Sequence, residues 1–283
     1  LLVATAINIV LDVWFVAGLH MGVSGVALAT VIAQFVSAVL CVLKLRKMTD
    51  FFDMKAQYLK PDGKNMGTVI RLGLPSGITQ AIFSLAMVVV QSLTNSFGEM
   101  IIAANVIIMR VDGFAMMPNF SFGTAMTTYA GQNVGARQFD RVKQGARQGT
   151  LIAAGTSAVI TGLILLFGPY LMGIFTNTRE LAQLSADMMK ILAVGYIAMA
   201  VTQSLSGVMR GAGDTVTPMW ISLLTTVGIR VPLVYGLVYL TRTPDLPQGR
   251  YESLWISLLC AWVLGAVITG IFYKLGRWKK KAL

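Results

Sequence analysis

Residues 149–175 read GTLIAAGTSAVITGLILLFGPYLMGIF, 27 positions without a single charged side chain. As a helix rising about 1.5 Å per residue this stretch reaches roughly 40 Å, enough to cross the ~30 Å hydrocarbon layer of a bilayer. Similar apolar windows recur on both sides of it, at about 2–19, 22–43, 68–97, 99–130, 183–209, 216–240 and 253–275. Eight membrane spans are therefore expected. The composition agrees: 55% of the 283 residues are hydrophobic and only 12% charged, with a mean hydropathy of +0.70, far from a soluble domain. A membrane β-barrel would alternate apolar and polar residues in segments of about ten. That pattern is absent, so the expected class is an all-α polytopic membrane protein.

A net charge of +11 could indicate a nucleic-acid partner, and the placement of the basic residues argues against it. Seventeen of the 23 lysines and arginines fall on one side when the spans are taken alternately, among them Lys44, Arg46, Arg137, Arg141, Arg210 and Lys279. Only Arg179, Arg242 and Arg250 fall on the other side, and Arg110, Lys190 and Arg230 lie within spans. Such asymmetry marks the cytoplasmic face of an inner (plasma) membrane protein. The carboxyl terminus is expected on that face, in contact with lipid. Cys41 and Cys260 stand alone in separate spans and suggest neither a disulfide nor a metal site. No cleavable signal peptide is visible in the opening run.

The first two spans, closed by KLRK (44–47), resemble the last two, closed by KLGRWKKK (274–281). This internal likeness divides the chain into 1–45, the last hairpin of one six-helix lobe; 46–67, a cytoplasmic linker with an interfacial amphipathic character; and 68–283, a complete second six-helix lobe with a basic tail. Four further helices are expected upstream of Leu1, which already stands at the edge of a span.

Four local patterns then coincide in order: LGLPSG (72–77), GQNVGA (131–136), LSGVMRGAGDTVTPM (205–219) and RVPLVY (230–235). GAGDTVTP has the chemistry of a helix junction, with glycines to end one helix, Asp214 or Thr215 to cap the next and Pro218 in its first turn. GQNVGA lacks the Gly-Lys-Ser/Thr of a phosphate loop, which argues against nucleotide binding. Together the patterns resemble the second lobe of a multidrug and toxic compound extrusion (MATE) transporter, nearer the DinF-like branch. The resemblance implies two six-helix bundles about a central cavity, acting as a monomer, and export of amphipathic or cationic drugs and toxic compounds in exchange for H⁺ or Na⁺. No cofactor is implied beyond that coupling ion.

Of the twelve acidic residues, three lie inside expected spans: Asp12, Asp112 and Asp187. An ionised aspartate at the centre of a spanning helix costs about 2.5–3.5 kcal/mol on insertion scales, so each needs a partner or a task. Asp187 has Lys190 at i+3, which predicts an ion pair near the outer interface. Asp112 either pairs with Arg230 or faces a cavity, where Arg110 and Asn105 would share its polar network. Pro118, six residues on, deprives the Phe114 carbonyl of its helical donor and favours a kink. Asp12 lies in INIVLDV with Asn8 one turn earlier on the same face, and neither of the first two spans holds a cation to neutralise it. Asn8 and Asp12 also match the family's Asn-x-x-x-Asp pattern, and the resemblance implies that they bind the coupling cation. Val13 stands where proline often comes after that aspartate, and residues 63–98 and 188–213 lack the carboxylates of NorM-like members.

Gly22, Gly25, Ala29 and Ala33 predict a close helix contact along the second span. Met87, Met109, Met116, Met117 and Met126 suit either an adaptable cavity or plain core packing. A lipid-linked saccharide flippase of the same superfamily is the alternative transport reading, though only Arg110 and Arg230 lie deep enough to meet a phosphate. A non-functional truncated fragment is a third reading. An intramembrane enzyme is disfavoured, because His20, in an outer turn, is the single histidine.

Overall fold

A computed structural model describes residues 2–47, 62–276 and 278. Most of the expected linker and most of the basic tail lie outside the described residues. Helices dominate: α1 (Leu2–Val13) runs into a π-helical turn (Trp14–Gly18), and then come α2 (Gly22–Arg46), α3 (Gly63–Asn95), α4 (Glu99–Gly135) and α5 (Phe139–Gly173). The chain continues through α6 (Arg179–Ala193), α7 (Gly195–Gly211), α8 (Val216–Leu223), a second π segment (Leu224–Arg230), α9 (Val231–Leu240) and α10 (Ser253–Leu275). Strand-type pairing is confined, among the described residues, to one bridge between Thr243 and Leu246.

Six of these rods are long and apolar enough to cross a bilayer: α2, α3, α4, α5, the run Val216–Leu240 and α10. The window expected as a single span at 183–209 is instead α6 and α7, bent by 45° at their junction, and the pair together would make a seventh. The first window forms a shorter apolar rod, Leu2–Gly18. At about 1.5 Å per residue it reaches roughly 25 Å, short of the usual hydrocarbon thickness.

The chain divides into two compact units, Leu1–Gly67 and Thr68–Leu283. In the first, α1 and α2 form a hairpin. Gly25, Ala29 and Ala33 are the buried residues of α2, with Gly25 set against Phe15, as the small-residue spacing predicts. Gly22 instead opens the helix in the left-handed region, φ 57°.

The second unit is organised around α7, which packs against α4, α5 and α10. The α4–α7 seam brings two backbones close together. A Cβ on Gly207 would run into the carbonyl oxygen of Gly123, and one on Gly211 into that of Thr127. Without a hydrophobic drive between helices in lipid, such small-residue contact is how dispersion forces hold a bundle together. The motif LSGVMRG therefore serves the packing of α7 before it serves anything else. Core residues of the unit gather in two clusters. One cluster joins Ile101, Ala104, Ile108, Met189, Leu192 and Trp255; the other joins Met126, Ala130, Val142, Val208, Met209 and Trp278.

The junction GAGDTVTP folds as its chemistry demands. Asp214 accepts hydrogen bonds from the Thr217 backbone N–H (3.2 Å) and its hydroxyl (2.7 Å), satisfying donors left open at the start of α8. GQNVGA forms the last turns of α4 and not a loop after it; Arg137 then turns the chain in the left-handed region. Pro118 is carried within a continuous α4. The π segment that ends at Arg230 precedes Pro232, which offers no N–H to the helix.

Candidate functional site

Asn8 and Asp12 occupy successive turns of α1, and the helix widens into its π turn two residues after the aspartate. Asn8 Nδ2 and Asp12 Oδ1 are both shielded from solvent, and neither has a hydrogen-bond partner. Most buried polar groups are paired, since an unpaired one costs about 1–3 kcal/mol. An amide nitrogen and a carboxylate oxygen one turn apart on the same face thus both stand shielded and unpaired. π turns inside α-helices are frequent at such sites.

In the second unit Asp112 does not pair with Arg230. Its Oδ1 accepts a hydrogen bond from the Tyr196 hydroxyl at 2.8 Å, and no ion pair within 4.0 Å joins it to Arg230 among the described residues. Tyr196 is gripped at both ends, because Asn119 Nδ2 donates to its backbone carbonyl at 3.3 Å. Asp112 and Asn119, two turns apart on α4, thus fasten the start of α7 just after the α6–α7 bend. Ser157 on α5 donates to Asn119 Oδ1 at 2.8 Å, and Thr161 donates to the Ala193 carbonyl at 2.6 Å. Four helices meet in this polar node. Sequence reasoning misses Asn119, Ser157 and Tyr196, although an asparagine directly after a proline within a span is a visible signal.

The other expected polar residues separate. Asn105 donates to Gln91 on α3 at 3.3 Å, a contact between neighbouring helices. Arg110 is exposed and takes no part in the node. Asp187 and Lys190 form their ion pair at 2.7 Å on the exposed face of α6, as their spacing predicts; a surface pair of this kind contributes little stability.

A cavity of about 570 Å³ opens among α3, α4, α7, α8 with its π segment, and α10. That is the size of a site for a drug-sized molecule. Phe83, Phe120 and Trp262 supply aromatic surface, Gln80 and Gln203 supply amides, and Arg210 and Arg230 supply charge. None of the described residues lining it is acidic. Its eleven serines and threonines are largely turned inward to their own helices, as where Thr79, Thr124 and Thr202 donate to carbonyls four residues back. Of the five methionines singled out from sequence none lines this cavity; Met116 and Met126 are core, and Met199 lines it instead. Position along the chain groups Arg210 with the cytoplasmic residues, and only the packing of α7 against α4 brings it to the cavity wall. Among the described residues no three histidines, cysteines or acids gather as a metal site.

Comparison with known proteins places these features. The MatE family model matches residues 75–236, from within α3 to the middle of α9. The probable multidrug resistance protein YoeA of Bacillus subtilis is 28% identical, aligned over all of this chain and 61% of its own length. The DNA damage-inducible protein F of Escherichia coli is 30% identical over 65% of this chain and 40% of its own. An outward-facing multidrug resistance MATE transporter of the MOP superfamily superimposes with a TM-score of 0.87 at 22% identity, covering 98% of this chain and 61% of that one. The chain thus spans about three-fifths of the relatives and structures that it matches most fully. With its helical rods, its apolar composition and a family match across more than half its length, the chain belongs to the MATE (MatE) family of multi-pass membrane transporters.

Proposed function

We propose that the protein is a secondary active antiporter that exports amphipathic compounds in exchange for H⁺ or Na⁺, with Asn8 and Asp12 holding the coupling cation. One observation carries the reading: a carboxylate oxygen and an amide nitrogen one turn apart, both shielded and both unpartnered, in a segment that carries no basic residue from Leu2 to Gly18. A proton or sodium ion would supply the partner that the Asp12 oxygen lacks, and the Asn8 amide would serve such a cation through its oxygen, its nitrogen being a donor only. Binding would neutralise Asp12 and remove the cost of holding a charge in the membrane, and release toward the opposite side would restore it. A carboxylate that changes charge in this way biases a helix between two arrangements, which is the requirement for alternating access.

The relatives' names, among them multidrug resistance protein YoeA, support a broad substrate range, and the aromatic walls of the second-unit cavity suit the apolar bodies of such compounds. The basic flanks of α2, α5 and α10 support an inner-membrane orientation with the carboxyl terminus in the cytoplasm. Proteoliposomes preloaded with a fluorescent amphipathic dye test the reading. An imposed inward H⁺ or Na⁺ gradient is expected to accelerate dye exit, and dye exit indifferent to both gradients would exclude antiport.

A further inference from the structure

The charge balance of the second-unit cavity runs opposite to what a cationic drug needs. Two guanidinium groups line it, and no described lining residue is acidic. Arg230 is 6% exposed; its Nε is shielded without a partner, and Nη1 reaches only the Met87 sulfur, at 4.0 Å. A buried arginine left this way has paid its desolvation without gaining hydrogen bonds in return. The opposing charge whose field reaches Arg230 is that of Asp112. That carboxylate is engaged by Tyr196 and forms no ion pair with the guanidinium. Arg210 also has no ion pair among the described residues, and its guanidinium packs beside Gly123 of α4.

We infer that this cavity is a binding site for an amphipathic organic anion, whose carboxylate, sulfonate or phosphate group is held by Arg230 while its apolar body lies against Phe83, Phe120 and Trp262. The inference deepens the antiport reading by naming a substrate class, and it depends on that reading only for the transport step after binding. Guanidinium presents a planar fork of N–H donors that matches such groups, and charge-assisted hydrogen bonds in a shielded site are the strong ones. The two arginines have different parts. Arg230 reaches the Met87 sulfur of α3, whereas Arg210 lies beside Gly123 of α4. The shielded, unpartnered Arg230 holds the anion, and Arg210 adds to the positive field of the cavity wall.

Isothermal titration of the purified full chain in detergent tests this without any transport step. The probes are naphthalene-2-sulfonate, its neutral analogue naphthalene-2-sulfonamide, and the cation 2-naphthylmethylammonium. The sulfonate is expected to bind about tenfold or more tightly than the sulfonamide, the scale of one charged hydrogen bond, and the ammonium weakest. Arg230→Gln should erase the preference, Arg230→Lys should retain part of it, and Arg179→Gln, an exposed arginine outside the cavity, should leave it intact. Equal binding of sulfonate and sulfonamide, tighter binding of the ammonium, or a preference that survives Arg230→Gln would overturn the site. Should a folded Arg230→Gln protein not be obtained, the parent's order of the three probes and the Lys variant decide. Anion selectivity in a protein that moves nothing under a gradient would sink antiport and keep the site; gradient-driven export without anion selectivity would do the reverse.

Discussion

At the scale of single residues, a polar atom in this fold is either held by a neighbour or kept open. Asn119 belongs to the first kind: its amide bonds α5 and α7 at once, through Ser157 and the Tyr196 carbonyl. Asn119→Leu would strand both partners in a buried site, and is expected to lower stability by about 1–3 kcal/mol. A thermal melt of the detergent-solubilised variant measures this, and an unchanged midpoint would mean that the node is incidental. Asn8 and Asp12 are of the second kind. They are legible in the sequence because an acid with no cation in its own hairpin stands out, whereas Asn119 is uncharged and needs its neighbours on α5 and α7 to be seen. The expected pairing of Asp112 with Arg230 goes the other way. Depth along two helices allows it, but in the fold it is the Tyr196 hydroxyl of α7 that reaches Asp112.

At the scale of elements, hydropathy locates every helical rod but not where a rod breaks. Residues 183–209 form one apolar run, yet α6 carries an exposed polar face with Arg179, Glu180, Asp187 and Lys190, while α7 is buried on several sides. The bend lets each half adapt to its own surroundings. The π segments are equally invisible in the sequence, since helix widening depends on which carbonyls find donors and leaves the apolar pattern intact. The α4–α7 seam yields a paired prediction. Gly211→Val should drive side-chain atoms into the Thr127 carbonyl and reduce the yield of folded protein sharply, because close backbone approach leaves no room for relaxation. Gly236→Ala, where an added Cβ meets nothing within 4 Å, should be neutral or stabilising by up to about 1 kcal/mol from helix propensity. Size-exclusion profiles of the two variants compare them directly, and equal losses would show that the seam is not where the packing is decided.

At the scale of the whole molecule, the distribution of charge bears on orientation and the shielded, unpartnered carboxylate oxygen of Asp12 bears on the task. Exposed Gln138 lies just beyond α4 and exposed Gln248 precedes α10, on what the basic residues mark as opposite sides of the membrane. A cysteine at Gln248, in a background lacking Cys41 and Cys260, should react with an impermeant thiol reagent in intact cells, and one at Gln138 only after lysis. Inverted labelling would reverse the orientation. The central claim, that Asp12 carries the coupling cation, makes a more exacting demand. Asp12→Asn keeps the shape and the hydrogen-bonding capacity of the side chain and removes its charge. Asn8→Ala removes a neutral ligand and is expected to weaken coupling less. The decisive measurement is cation movement out of H⁺- or Na⁺-loaded proteoliposomes on external addition of a transported compound, read with an enclosed pH- or Na⁺-sensitive dye and normalised to folded protein. The parental protein should give a substrate-dependent cation signal and Asp12→Asn none; an undiminished signal from Asp12→Asn would contradict the assignment.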